Sequence, residues 1–147
     1  MLSFGMRVVL DTNIIVGAML KGGGASRAIL RLCLEGQVIP LVGVALFAEM
    51  EDVLARDLLL QKSHLNLGER QELFAAFLNV TAWVSIYYSW RPNLRDEADN
   101  HVVDLAIAGN ADYIITQNKR DFQKMDLMFP NLNIVNAAEF LDIWRTQ

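Results

Sequence analysis

The chain has 147 residues, of which 53% are hydrophobic, and its net charge is −4 at neutral pH. This length suits one domain around a single core, so we expect one domain over residues 1–147. The acidic balance argues against a general binder of polyanions, because phosphate contacts need clusters of Lys and Arg.

The sequence has no features of a membrane or secreted protein. Its longest apolar stretch, 38–48, is interrupted by Pro40 and Gly43 and falls short of the roughly 20 residues that a membrane span needs. The first seven residues lack the basic and apolar parts of a signal peptide. The single cysteine, Cys33, excludes an internal disulfide; we interpret it as a core residue and expect a cytoplasmic protein.

Hydrophobic periodicity predicts strands that alternate with helices. In chain order the pattern predicts strand 6–10, helices 14–20 and 25–35, strand 38–41, helix 44–56, a helical turn within 57–66, helix 69–80, strand 83–87, an irregular stretch 89–97, helix 99–108, strand 112–116, a turn at 119–123, strand 133–135 and helix 137–145. Such alternation is typical of an α/β fold with a mainly parallel sheet sandwiched between helices.

Polar residues follow two of the predicted strands. Asp11 comes directly after strand 6–10, and Asn118 follows strand 112–116. An ionised carboxylate at such a place is costly to desolvate unless a cation or hydrogen-bond donors meet it. Ligands bind at the carboxyl ends of strands in open α/β sheets, so this edge is the predicted functional site. The alternative is that Asp11 or Thr12 caps the next helix.

Three further acidic residues have both a functional and a structural interpretation. Glu49 has apolar neighbours in helix 44–56, and periodicity alone makes it equally compatible with a surface charge. Asp96 and Asp99 precede helix 99–108, where acids are favoured by capping and by the helix dipole. Neither histidine, His64 or His101, has a Cys or His at the spacing of a structural zinc site.

Four tracts together resemble the PIN-domain family over nearly the whole chain. Each is weak alone, and their order and spacing make the resemblance fairly specific. They are VLDTNII at 9–15, FAEMEDVLAR at 47–56, DEADN at 96–100 followed by LA at 105–106, and ADYIITQNK at 111–119. The chain is most similar to the small prokaryotic VapC-like group, the toxin components of toxin–antitoxin pairs.

The resemblance implies a three-layer α/β/α sandwich and a ribonuclease that depends on Mg²⁺ or Mn²⁺. By position, Asp11, Glu49 and Asp99 match the family's three acidic metal ligands. Asn118 matches a fourth catalytic position that is often Asp in the family. With Asn118 there, we expect the metal-free protein to take one ion and to recruit a second mainly with RNA phosphate. Hard oxygen ligands of this kind suit both metals.

The implied partners are an RNA substrate and a small antitoxin protein. An apolar groove for the antitoxin, or a face for a homodimer, is offered by Leu58 to Leu60 and by an aromatic set in the second half of the chain. That set is Phe74, Phe77, Trp83, Tyr87, Tyr88 and Trp90. Plain core packing is the alternative interpretation of these side chains.

Two other functions compete with the nuclease. One is a non-catalytic interaction module of the same fold, which Asn118 favours and the three intact acids oppose. The other is a phosphotransfer protein, since a strand-end Asp also serves receiver domains and aspartyl-phosphate hydrolases. The tract Asp11-Thr12-Asn13 lacks the second Asp that those hydrolases use.

Overall fold

Five parallel strands form the centre of the molecule. The structure is a computed structural model that describes residues 5–20, 24–56, 61, 63–87, 99–123 and 131–147. The strands are β1 (Met6–Leu10), β2 (Val38–Val42), β3 (Ala82–Trp83), β4 (Tyr113–Ile115) and β5 (Asn133–Val135). Their order in the sheet is β3-β2-β1-β4-β5, and every neighbouring pair is parallel. The predicted parallel sheet is confirmed.

Helices cover the sheet and make the fold a three-layer α/β/α sandwich, as predicted. They are α1 (Thr12–Met19), α2 (Gly24–Leu34), α3 (Val44–Leu54), α4 (Leu67–Val80), α5 (Asn100–Ala108), α6 (Arg120–Gln123) and α7 (Ala137–Arg145). Helix α2 packs against α1, α4 and α7, whereas α5 packs against α3 and the central strands. None of these described helices has the length and apolar character needed to cross a membrane.

The central strand β1 supplies the middle of the core. Val8 and Val9 are fully buried, and so is Ile114 on the adjacent β4. Strands buried on both faces read as continuous apolar runs, which is why periodicity identified them. Cys33 on α2 is also fully buried, and burial raises the pKa of its thiol to about 12. The prediction that Cys33 is a core residue is confirmed.

Several element boundaries differ from the predicted ones for identifiable reasons. Strand β3 stops at Trp83 instead of 87 because its partner β2 ends at Val42 and leaves the following residues no strand to pair with. Helix α1 begins at Thr12, two residues early, because Asp11 caps it. The predicted turn at 119–123 contains the short helix α6.

Two predicted segments fall largely or wholly outside the described residues. The irregular stretch 89–97 lies outside them entirely. Of the helical turn predicted within 57–66, only 61 and 63–66 are described. Ser63 there forms an isolated antiparallel bridge with Leu20, so the prediction of a helical turn is wrong at that residue.

A glycine at the end of α5 is expected to be intolerant of a side chain. A Cβ on Gly109 would lie 2.6 Å from Leu41 Cδ1 and 3.1 Å from Val84 Cγ2. We expect Gly109→Ala to lower the free energy of unfolding by about 1–3 kcal/mol through overpacking. Urea denaturation measures this.

The matched control is Gly68→Ala on α4, where a Cβ would contact only Asn66 Oδ1 at 3.4 Å. Gly68 is exposed, and alanine there should raise the stability by about 0.5–1 kcal/mol because it restricts the unfolded chain. Equal effects of the two substitutions would contradict the packing described around Gly109.

Candidate functional site

The four residues predicted as a site line one open pocket at the carboxyl edge of the sheet. Asp11 leaves β1, Glu49 lies on α3, Asp99 precedes α5 and Asn118 follows β4, and all four border the same cavity of about 330 Å³. Asp121, in the first turn of α6, borders it too. The parallel sheet therefore brings together four predicted residues that are up to 107 positions apart in sequence.

Asp11 is buried and receives three hydrogen bonds. The backbone N–H of Thr12 donates to Oδ1 at 2.9 Å. The hydroxyl of Thr116 donates to Oδ2 at 2.8 Å, and Asn13 Nδ2 donates to the same oxygen at 3.3 Å. Only 7% of Asp11 is exposed. It is the N-cap of α1, which confirms the capping interpretation, and it also borders the pocket, so the cap does not exclude the predicted functional role.

The carboxyl group of Asp11 is under electrostatic strain in the metal-free protein. Burial raises its pKa above the usual value, and repulsion from Glu49 raises it further. The hydrogen bonds from Thr116 and Thr12 oppose these effects, yet the net direction is upward. A bound cation would relieve both the desolvation and the repulsion.

The strand ends of β1 and β4 are joined by side-chain hydrogen bonds. Thr116 Oγ1, which donates to Asp11, also accepts the backbone N–H of Asn118 at 3.1 Å. Asn13 Oδ1 accepts the backbone N–H of Gln117 at 3.1 Å. The loop that carries Asn118 is thus fixed against the strand end that carries Asp11. Sequence reasoning missed Thr116 and Asn13 as site residues, although each lies two positions from a predicted one.

Glu49 is held by side chains from two other helices. Its side chain is 35% exposed, and Oε2 lies 3.0 Å from Nε2 of His101 on α5. The hydroxyl of Thr12 on α1 donates to Oε1. The hydrogen bond with His101 is the largest cause that lowers the pKa of Glu49, and that with Thr12 lowers it too. Glu49 is therefore a fixed anion at the pocket and not a free surface charge.

Asp99 and Asn118 complete the polar lining. Asp99 occupies the N-cap position of α5 but makes no side-chain capping hydrogen bond, so its place at the helix start was predicted and its capping bond was not found. Asn118 is exposed at the pocket. Asp96, the other predicted cap of this helix, lies outside the described residues.

The donor chemistry of the pocket fits a hard divalent cation, although its side chains are not arranged around one. Among the described residues, no group of three or more His, Cys, Asp or Glu side chains is placed to hold a metal ion. The carboxylates of Asp11 and Glu49 nevertheless repel each other, and carboxylate oxygens are the ligands that Mg²⁺ and Mn²⁺ prefer. The metal ligation implied by the sequence resemblance remains a prediction.

The aromatic set divides between core and surface. Phe77 and Phe74 are buried, as core packing predicts, whereas Trp83 is 54% and Tyr87 94% exposed. Phe47 packs between Phe74 and Trp83, with ring centroids 5.9 and 6.0 Å away, and Phe47 and Phe74 line an apolar groove between α3 and α4. The other two members of the set, Tyr88 and Trp90, lie outside the described residues, and so do Leu58 to Leu60.

Comparisons with known proteins agree with the fold and the resemblance. A family model described as a PIN domain matches residues 7–120. The crystal structure of VapBC2 from Rickettsia felis, bound to a DNA fragment from their promoter, contains a chain of similar fold. The TM-score is 0.59 at 21% sequence identity, over 89% of this chain and 98% of that chain. No curated protein matches the chain.

Proposed function

This chain belongs to the PIN-domain family, and on that premise we propose that it is a metal-dependent ribonuclease that hydrolyses RNA phosphodiester bonds. The observation that carries the proposal is the convergence of Asp11, Glu49, Asp99 and Asn118 on one pocket. Three carboxylates are brought together where the sheet presents ligand sites. Asp11 and Glu49 repel each other there, and a bound cation would offset that repulsion.

In this proposal Asp11, Glu49 and Asp99 hold the ion, which is Mg²⁺ or Mn²⁺. When bound, such an ion lowers the pKa of a water molecule and neutralises charge on a phosphate oxygen. Thr116 and Thr12 orient Asp11 through the hydrogen bonds at Oδ2 and Oδ1. These donors keep the carboxylate in one rotamer, so little freedom is lost when the ion and the RNA phosphate arrive.

With Asn118 at the fourth position, the proposed ligands include three carboxylates; Asp121 also borders the pocket but is not one of the proposed ligands. Three carboxylates carry −3, so one divalent ion leaves −1 and two would leave +1 before RNA is present. We expect Asn118→Asp to strengthen a second Mn²⁺ site in the free protein, because a fourth carboxylate makes two ions neutral in sum. Calorimetric titration without RNA counts the ions. Two tight sites already present in the unaltered protein would contradict this charge argument.

We further propose that the protein is the toxin component of a toxin–antitoxin pair in the cytoplasm, with a small antitoxin protein as partner. The likeness of its fold to a chain of VapBC2 supports this role. Co-expression of this protein with the product of a small open reading frame directly upstream of its gene tests this role. A complex that suppresses RNA cleavage is expected. If no protein encoded by a neighbouring gene suppresses RNA cleavage, the toxin role is contradicted and only the nuclease activity stands.

A non-catalytic interaction module is the second candidate. It is favoured by Asn118 and by the absence, within the described ranges, of three acidic side chains already placed around a metal position. Such a module would bind RNA or a protein without cutting RNA.

Incubation of labelled RNA with the purified protein separates the two functions. Cleavage is expected with Mn²⁺ and none with a chelator. Glu49→Gln should lose the activity, whereas Glu51→Gln should keep it, since Glu51 is an exposed acid on the same helix outside the pocket. Intact RNA under every condition would favour the interaction module.

A further inference from the structure

His101, which is not one of the predicted site residues, contacts one of the pocket acids, Glu49. It lies in the first turn of α5, next to Asn100, and its side chain is only 12% exposed. Its Nε2 lies 3.0 Å from Glu49 Oε2, across 52 positions of sequence. A largely buried imidazole on α5 therefore contacts a pocket acid carried by another helix, α3.

The other ring nitrogen of His101 indicates which way this hydrogen bond runs. Nδ1 is buried and finds no hydrogen-bond partner among the residues that the structure describes. A proton on Nδ1 would leave a buried donor unpaired, whereas a bare Nδ1 leaves only an unfilled acceptor. The favoured tautomer therefore carries its proton on Nε2 and donates it to Glu49.

Thr12 provides the opposite half of the arrangement. Its hydroxyl donates to Glu49 Oε1, and its backbone N–H donates to Asp11 Oδ1. The two carboxylate oxygens of Glu49 are thus hydrogen-bonded by side chains of two different helices, Thr12 on α1 and His101 on α5. A carboxylate oxygen has two lone-pair positions, so an accepted hydrogen bond leaves the other position for a metal ion.

We propose that His101 is a positioning residue that fixes the carboxylate of Glu49 for metal binding. The inference rests on the proposed function, since it assigns a supporting role to the same metal site. A half-exposed glutamate on a helix otherwise has several rotamers available, and holding it in one of them lowers the entropy lost on coordination. His101 itself stays outside the coordination shell.

Calorimetric titration of Mn²⁺ into metal-free variants, without RNA, tests the assignment. His101→Phe keeps a ring in the space and removes the donor, and we expect about 10- to 100-fold weaker binding. His101→Gln retains a side-chain N–H and should restore most of the affinity. The matched control is His64→Phe, which alters the chain's other histidine, an exposed one outside the pocket, and should bind Mn²⁺ like the unaltered protein.

Unchanged affinity in His101→Phe would overturn the proposal, and so would a His101→Gln protein as weak as the Phe variant. If the Phe variant does not fold, ¹H–¹⁵N NMR of the unaltered protein decides instead. A proton on Nε2 is expected; a proton on Nδ1 alone would overturn the proposal, because Nε2 then has nothing to donate. If the unaltered protein binds no Mn²⁺ at all, the proposed function itself fails. That result is distinguishable from a failure of the His101 proposal, in which the unaltered protein binds Mn²⁺ and the His101 variants do not behave as expected.

Discussion

Asp11→Asn is expected to lower RNA cleavage by at least about 100-fold while the metal-free protein stays folded. A bound divalent ion would lower the barrier by several kcal/mol through charge neutralisation, and weakened binding of that ion accounts for a loss of this size. Asparagine has nearly the same shape and can still accept the N–H of Thr12, so the N-cap of α1 is kept. Single-turnover cleavage of labelled RNA at saturating Mn²⁺ measures the loss.

Asp142→Asn is the control for this substitution, because Asp142 is an exposed acid on α7 and does not line the pocket. It should cleave RNA at the unaltered rate. An Asp11→Asn protein that retains more than about a tenth of the rate, about 1.4 kcal/mol in barrier height, would contradict the assignment of Asp11 as a metal ligand.

The free energy of unfolding of Asp11→Asn, compared with that of the unaltered protein, is expected to rise with pH in metal-free buffer. The pKa of Asp11 is raised above its ordinary value of 3.8 in the folded protein. At pH values between the ordinary pKa and the raised pKa of the folded protein, the folded state binds more protons than the unfolded state. The stability of the unaltered protein therefore falls as the pH increases through this range. Asparagine does not titrate, so the difference in the free energy of unfolding between the two proteins should grow as the pH rises above 3.8 and then level off.

Urea denaturation in the presence of a chelator, from below pH 3.8 to neutral pH, measures this difference. Glu49 works in the opposite direction, because its lowered pKa adds stability above the ordinary value of 4.5 and loses it as pH falls. The contacts with His101 and Thr12 that lower the pKa of Glu49 are present in both proteins, so its contribution differs between them only by the lost repulsion from Asp11. A difference that stays constant or shrinks with rising pH would show that Asp11 is not under strain.

The parallel sheet could be predicted from sequence because each of its central strands is a short, buried apolar run between helical patterns. Strands β1, β2 and β5 were placed within a residue of their observed ends. Strand β3 was predicted too long, since its length depends on where its neighbour β2 ends. Such an end is set by tertiary pairing, and the periodicity of the strand itself does not encode it.

The pocket residues could be predicted only in part. Asp11 and Asn118 follow from the rule that polar groups at strand ends meet at one edge. Glu49 and Asp99 had equally good structural interpretations, and the family resemblance selected them. The contacts of His101 could not be predicted, because they depend on how α3 and α5 pack, and nothing in the local pattern around His101 indicates a partner 52 positions away.

The most direct test of this account is to count the Mn²⁺ ions bound by the metal-free protein before and after Glu49→Gln, with Glu51→Gln as the control. We expect one Mn²⁺ ion per chain for the unaltered protein and for Glu51→Gln, and greatly weakened binding for Glu49→Gln. Equal binding by Glu49→Gln, or no binding by the unaltered protein, would contradict the claim that acids from three separate segments share one divalent ion.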